Sequence, residues 1–321
     1  MRRLVAAFAL WLCAVIPALA QKPDNLPLVG ILRINTPDTV EPSATGFKEA
    51  LAALGLVDGR NIRLELRLAE GHAERLPELA QSLVQAKASV IVAYGVPAVR
   101  AAQRATSTIP IVGYGELLAQ GVIESLARPG GNTTGVSILN TDLDAKRLEV
   151  LKQIVPSGQR FALLHDPAFS FPAQMQAIDA MGHALAVELQ TADIRVSTDL
   201  EPAFASFRAS GAEAINVLNS PLFFASREEL GRLSLTYKLP AICEWREMAE
   251  AGCVGSYGTR LSEGWAMVAA LTDKMLKGAP AGETPAQQPI RFELVINRKV
   301  ARAIGIEIPQ LLLARADEVI E

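Results

Sequence analysis

Histidine and cysteine are scarce in this chain of 321 residues, three of each, and aromatic residues make up only 5% of it. His72, His165 and His183 stand far apart and form no His-Glu-x-x-His pair, and neither a Gly-x-Ser-x-Gly elbow nor a phosphate-cradling P-loop occurs. These absences argue against a zinc hydrolase, a serine hydrolase and a nucleotidase. A dinucleotide fingerprint starts at Gly113-Tyr114-Gly115, but position 118 is Leu, so that reading fails. Cys243 and Cys253 have no histidine nearby and not the spacing of a zinc site. No metal or other cofactor is therefore expected. Basic residues are in slight deficit, 31 against 34 acidic, and scattered, which leaves no footprint for nucleic acid or an anionic membrane. No apolar run reaches the ~20 residues needed to span a bilayer.

Arg2 and Arg3 precede an apolar run over 4–16, and Ala18-Leu19-Ala20 follows, the three-part layout of a secretory signal peptide over residues 1–20. Cys13 could suggest a lipid anchor, but Leu10-Trp11-Leu12 places a bulky residue where a lipobox needs a small one. The expectation is a chain starting near Gln21 and working outside the cytoplasm, its net charge moved from −3 to −5 by loss of the two arginines. The remaining ~300 residues, half of the chain being hydrophobic, suffice for two domains with their own cores. In such a compartment Cys243 and Cys253 either form a disulfide or remain two buried thiols; spacing alone leaves both open.

Short apolar runs alternate with longer amphipathic ones throughout, the mark of an α/β protein built on parallel sheets with helices on both faces. Strands are expected at 28–32, 61–68, 90–93 and 111–112, with helices at 43–54, 74–86 and 97–105. After a Pro-Gly-Gly turn the pattern restarts, with helices at 143–154, 173–187, 227–237 and 246–249 and strands at 161–164, 189–196, 215–218, 241–243 and 254–257. A helix over 262–277 ends at Gly278, residues 279–289 read as a surface connection with three prolines, and a strand at 292–297 and a helix close the chain.

The segment Ser125-Leu-Ala-Arg-Pro-Gly-Gly-Asn-Thr-Thr-Gly135 reads locally as a tight lead-in to a strand, with Pro129 fixing φ and Gly130 and Gly131 permitting positive φ. It resembles the "SLARPGGN-x-TG" signature of the ABC-transporter substrate-binding protein family, whose tryptophan-binding members have a type I periplasmic binding fold. The resemblance covers nearly the whole chain after the leader. It implies two Rossmann-like open parallel-sheet lobes joined by a three-crossover hinge, one lobe formed by 21–136 with 259–286 and the other by 137–258 with 287–321. It further implies a non-enzymatic, monomeric periplasmic protein. Such a protein captures a small organic ligand, an amino acid or an aromatic or aliphatic carboxylate, and delivers it to an ABC permease and ATPase complex in the inner membrane. Two other classes share the architecture: a ligand-sensing subunit of a signalling receptor, and a small-molecule hydrolase.

Ligands of open parallel sheets collect beyond the carboxyl ends of the strands, which selects Asn35 within 33–36, the 94–97 turn, Tyr114 and Glu116, Asp166, Asn219 and Ser220, Glu244 and Trp245, and Tyr257. Gly95-Val96-Pro97 resembles the family's "GTPA" turn, with Val96 removing the hydroxyl and leaving main-chain donors for an anion; the alternative is a plain buried helix start. Tyr114 either stacks on a ligand or covers the sheet edge, and Glu116 stands where relatives carry an Asp-Pro pair. Asp166 either pairs an ammonium group or caps its own turn. Glu244 and Trp245 are either an ammonium partner with an aromatic wall or a capped short helix with its indole in the core. Ser256-Tyr257-Gly258 resembles the family's "SYG" at the second crossover, a hinge beside the cleft. His165 reads as a hydrogen-bonding cleft residue rather than a general base.

Overall fold

The computed structural model describes residues 26–35 and 37–321; the leader expected over 1–20 lies outside the described residues. The first lobe is built from β1 (Leu28–Arg33), α1 (Pro37–Ala53), β2 (Arg63–Leu68), α2 (Leu76–Gln85), β3 (Val90–Tyr94), α3 (Val96–Ala105), β4 (Ile111–Gly115) and β5 (Thr133–Ser137). Its sheet runs β2-β1-β3-β4-β5, parallel throughout. β1 and β3 are buried along their whole length. Covered by helices on both faces, they therefore read as unbroken apolar runs instead of alternating ones.

The second lobe follows with α4 (Asn140–Ile154), β6 (Arg160–His165), α5 (Pro172–Ala184), β7 (Glu188–Asp193), α6 (Leu200–Ala209), β8 (Ala214–Val217), α7 (Pro221–Ala225), α8 (Arg227–Tyr237), β9 (Ala241–Cys243), α9 (Arg246–Ala251) and β10 (Gly255–Gly258). The chain then returns to the first sheet as α10 (Leu261–Leu276), whose Val268 and Leu271 pack with Val29, Ile31, Phe47 and Val90. It ends in the second lobe with β11 (Glu293–Asn297), α11 (Arg298–Ile304), α12 (Gln310–Arg315) and β12 (Glu318–Ile320). The second sheet runs β12-β11-β10-β9-β8-β6-β7. Unlike the all-parallel expectation, β11 lies antiparallel to β10. β10 leaves for the first lobe at the hinge and β11 arrives from it there, so the two neighbours must run in opposite directions. Among the described residues no helix is long and apolar enough to cross a membrane.

The segment 279–289, expected as a surface connection, is in fact half sunk into the first lobe. Ala281, Thr284 and Ala286 are buried. Gln287 N–H donates to the Gly135 carbonyl and Ser137 N–H to the Gln287 carbonyl, both at 2.8 Å, so the crossover runs beside β5 almost as another strand. The proline-rich composition hid this, because the pairing involves isolated main-chain groups with no side-chain period to betray it. The 125–135 segment is the other side of that junction. Gly130 and Gly131 hold φ of +82° and +55°, Gly130 N–H donates to the Gly282 carbonyl at 3.0 Å, and the Thr134 hydroxyl donates to the Thr284 carbonyl at 2.8 Å. A Cβ on Gly282 would stand 2.3 Å from the Gly131 oxygen. Asn132 spends its side-chain amide on the carbonyls of Thr106 and Ile109, fixing the loop between α3 and β4.

Cys243 and Cys253 form a disulfide with their Cα atoms 6.5 Å apart. It joins the end of β9 to the approach to β10 around a loop that contains Trp245 and α9. Closing a loop of about ten residues in the unfolded chain is worth roughly 2 to 3 kcal/mol in the chain-entropy description. The double substitution Cys243→Ala, Cys253→Ala is expected to lower unfolding stability by that amount in chemical denaturation. An unchanged midpoint would show that the bridge adds nothing to the fold.

Candidate functional site

The carboxyl ends of β1, β3 and β4 face those of β6, β8 and β9 across a cavity of about 210 Å³. That is below the about 300 to 1,000 Å³ usual for ligand pockets. Its wall is largely aromatic, with Tyr94, Tyr114 and Trp265 from the first lobe and Phe169, Phe171, Phe224 and Trp245 from the second. These seven are a large share of the seventeen aromatic residues in the whole chain, so a residue class rare overall is concentrated here. The rings support one another: Tyr94 and Tyr114 lie 5.6 Å apart, and Phe224 meets Trp245 edge-on at 5.2 Å. Such geometry adds stability beyond area burial and holds the planes in place. The lobes touch across the cavity, since a Cβ on Gly95 would lie 3.5 Å from the Phe169 ring.

Polar groups punctuate this apolar wall. Arg33, at the end of β1, is buried and sets its guanidinium carbon 3.8 Å above the Tyr94 ring centroid, a cation–π contact. Burial pushes its pKa below the ordinary guanidinium value and pushes the Tyr94 phenol up to about 12. Tyr114 is pushed up further, by burial first and then by the nearby Glu244 carboxylate. Both phenols therefore stay neutral at physiological pH. Tyr94 Oη, Asn140 Oδ1 and Trp245 Nε1 are buried without a hydrogen-bond partner among the described residues, and all three residues line this cavity. Each such unmade bond costs about 1 to 3 kcal/mol, and a solute with matching polar atoms would relieve it.

Of the positions selected from sequence, Asn35, Gly95, Val96, Pro97, Tyr114, Glu116, Asn219 and Trp245 line the cavity. Gly95 takes φ +88° as the N-cap of α3, so the helix start faces the cavity with Val96 as an apolar wall. Glu116 also has a structural use. Its carboxylate accepts the Thr141 N–H at 2.8 Å and the Thr141 hydroxyl at 3.2 Å, capping α4 across the first crossover. The other four stand off the wall. Asp166 opens onto an adjoining outer cleft that shares Asn35, Ala168, Phe169 and Pro221 with the cavity, accepting the Ser220 hydroxyl at 2.5 Å and the Ala168 N–H at 2.9 Å, with burial raising its pKa. Ser220 caps α7 through Leu222 N–H. Glu244 lies buried behind Asn219 and accepts its side-chain amide. Tyr257 packs against the second-lobe core and offers its carbonyl to Arg147 at 3.0 Å. His165 pairs with Asp193 at 2.8 Å, away from the cavity.

Sequence reasoning did not single out Tyr94, Phe169, Phe171, Phe224, Asn140 or Trp265 as individual ligand residues. Arg33 and Tyr94 sit in strand-end segments that it did mark. Phe169 and Phe171 lie just past such an end, and the clustering of aromatics within a few residues of strand ends was the available signal. Trp265 comes from α10, whose place at the cavity is set by the returning crossover and has no local signature.

A family model described as ABC transporter substrate binding protein matches residues 28–320. A tyrosine-binding protein from Clostridioides difficile (strain R20291) is 23% identical over 283 residues, 87% of this chain and 81% of that protein. Among solved structures, an ABC domain in complex with L-Trp from Streptococcus pneumonia superposes with a TM-score of 0.79 at 21% identity, covering 92% of this chain and all of that one. The ligand-free, open structure of a substrate binding protein with adhesive properties from Clostridium difficile gives 0.61 at 22% identity, covering 92% and 99%. The matching family and the curated relative are substrate-binding proteins, not enzymes.

The position of Asp166 outside the cavity leads to a separable outcome. Asp166→Ala removes the acceptor for Ser220 and Ala168 and is expected to cost about 1 to 2 kcal/mol of stability while leaving solute affinity within about threefold. A loss of affinity much larger than that in calorimetric titration would make Asp166 a ligand contact.

Proposed function

We propose that this chain, which belongs to the ABC transporter substrate binding protein family, captures an amino acid or a related aromatic carboxylate between its lobes. In the periplasm it would deliver this cargo to a membrane permease and ATPase. The observation that carries this reading is the cavity itself: an aromatic box of amino-acid size that holds a buried guanidinium and three buried polar atoms with no hydrogen-bond partner among the described residues. Aromatic walls reward burial of a ring or alkyl group, and Arg33 with the amides at the start of α3 rewards an anion. Asn140, Asn219 and Trp245 contribute from the opposite lobe. A solute therefore gains its full set of contacts only when the lobes meet, which makes closure the consequence of binding.

Two further points support the reading. The Phe169 contact on Gly95 is the geometry of a closed cleft. At nearly equal identity and coverage, the chain also superposes better on the L-Trp complex than on the open, ligand-free structure. Tyrosine and L-Trp are named for those relatives, which favours an aromatic amino acid or its close kin as cargo here.

Thermal unfolding against panels of amino acids, aromatic acids, nucleosides and sugars tests the proposal. A true ligand at 100 times its Kd is expected to stabilise the fold by about 2.7 kcal/mol. Arg33→Ala and Trp265→Ala are each expected to weaken the hit at least tenfold. Stabilisation by sugars or nucleosides alone would sink the cargo class, and unaltered affinity in both variants would move the site elsewhere.

A further inference from the structure

Glu244 and Asn219 form a hydrogen-bonded pair at the ends of two neighbouring second-lobe strands. Asn219 follows β8 and lines the cavity; Glu244 follows β9, is buried, and does not reach the cavity wall. The Asn219 side-chain nitrogen donates to Glu244 Oε2. An ionised carboxylate can only accept hydrogen bonds, so the bond fixes which end of the amide points where. One of the two amide N–H groups is committed to Glu244, which turns the nitrogen toward it, and Oδ1 is the acceptor left for a solute. Asn140, from α4 of the same lobe, brings a second side-chain carbonyl oxygen to the same cavity, buried and without a hydrogen bond from the described residues. Two amide oxygens of one lobe thus offer acceptors, while the cation Arg33 sits on the opposite lobe.

We propose that Glu244 is a specificity-determining positioning residue: by holding Asn219 with its oxygen toward the cavity, it selects a solute with a protonated amine over the same skeleton lacking one. The inference rests on the cavity being the solute site. A charged ammonium has three donors for the oxygens of Asn140 and Asn219, and the Glu244 carboxylate behind them adds a favourable field. A solute carrying only a carboxylate meets Arg33 equally well but leaves those oxygens unpaired.

The surroundings of Glu244 make this selection pH-dependent. Burial pushes its carboxyl up to about 7, opposed by the Arg147 guanidinium on α4 and by the Asn219 hydrogen bond, with Asp144 on α4 adding to the rise. Tyr114, at the end of β4 on the other lobe, also feels its charge. An ammonium bound nearby favours the ionised form. Binding an amine-bearing solute near pH 7 therefore releases a proton, and affinity rises with pH. If only the ionised form binds well, the gain between pH 6 and pH 8 is about tenfold for a group of pKa about 7.

Calorimetric titration with L-tryptophan, L-tyrosine and L-phenylalanine, each beside its desamino propionate, provides the test. The amino acid is expected to bind at least tenfold more tightly than its counterpart at pH 8. Its affinity should fall about tenfold by pH 6, with proton release seen as a buffer-dependent heat at pH 7. Glu244→Gln is expected to flatten the pH profile and narrow the preference. Should that variant fail to fold, proton release by the unaltered protein decides. Equal affinity for both members of a pair, or a pH profile shared by Glu244→Gln and the unaltered protein, overturns this inference and leaves the cavity reading intact. Binding of neither member of any pair at either pH overturns both.

Discussion

A guanidinium with no access to water, that of Arg147, is the constraint around which the second lobe is arranged. A buried charge is tolerated only when it is paired and hydrogen-bonded; both terminal nitrogens of Arg147 are so engaged, while its Nε has no partner among the described residues. Asp144, one turn earlier on α4, supplies the countercharge. The second Asp144 oxygen is taken by Gln174 of α5, its main-chain carbonyl by Asn216 of β8, and Arg147 itself reaches the Tyr257 carbonyl on β10. Two helices and two strands are thereby pinned to one ion pair. Removing either member would strand the other in the core, a penalty of about 3 to 5 kcal/mol. The field of Arg147 extends to Glu244 and so to the amide that faces the cavity.

The crossovers carry their own polar locks, and these differ in kind. At the first, the Glu116 carboxylate caps α4, and the Ser137 hydroxyl accepts the Leu118 N–H at 3.1 Å. At the second, Arg147 holds the Tyr257 carbonyl, and Arg260 pairs with Glu293 at 2.7 Å. At the third, the Pro-Gly-Gly segment and Thr134 grip 282–287 through main-chain bonds and close glycine contacts. The third lock consists of uncharged groups, so it is the least sensitive to salt. The Arg260 pair is exposed on its arginine side and is correspondingly weak.

Much of the fold was legible because buried parallel strands advertise themselves as apolar runs: β1, β3 and β9 fall within a residue of where composition puts them. What escaped had weak local signals. The helix α6 was passed over between two strands, β12 has only Val319 and Ile320 as apolar residues, and the third crossover pairs through main-chain groups and one threonine hydroxyl. The site was half legible. Strand-end logic found the shelf of the cavity, including Tyr114, Asn219 and Trp245, but could not separate residues that line the cavity from those that stand off its wall. Glu244 and Asp166 are two that stand off it, their carboxylates accepting hydrogen bonds from Asn219 and Ser220. The signature segment identifies the family while contributing no side chain to the cavity wall; its residues are spent on holding a crossover.

Two of the three tryptophans in the chain, Trp245 and Trp265, stand on facing lobes of the cavity, and the third, Trp11, precedes the described residues. Trp245 is nearly sealed from water, and Trp265 is mostly covered. The indoles of the described residues therefore form an optical gauge of the cleft: the colour and intensity of their emission follow the wetting of that single place.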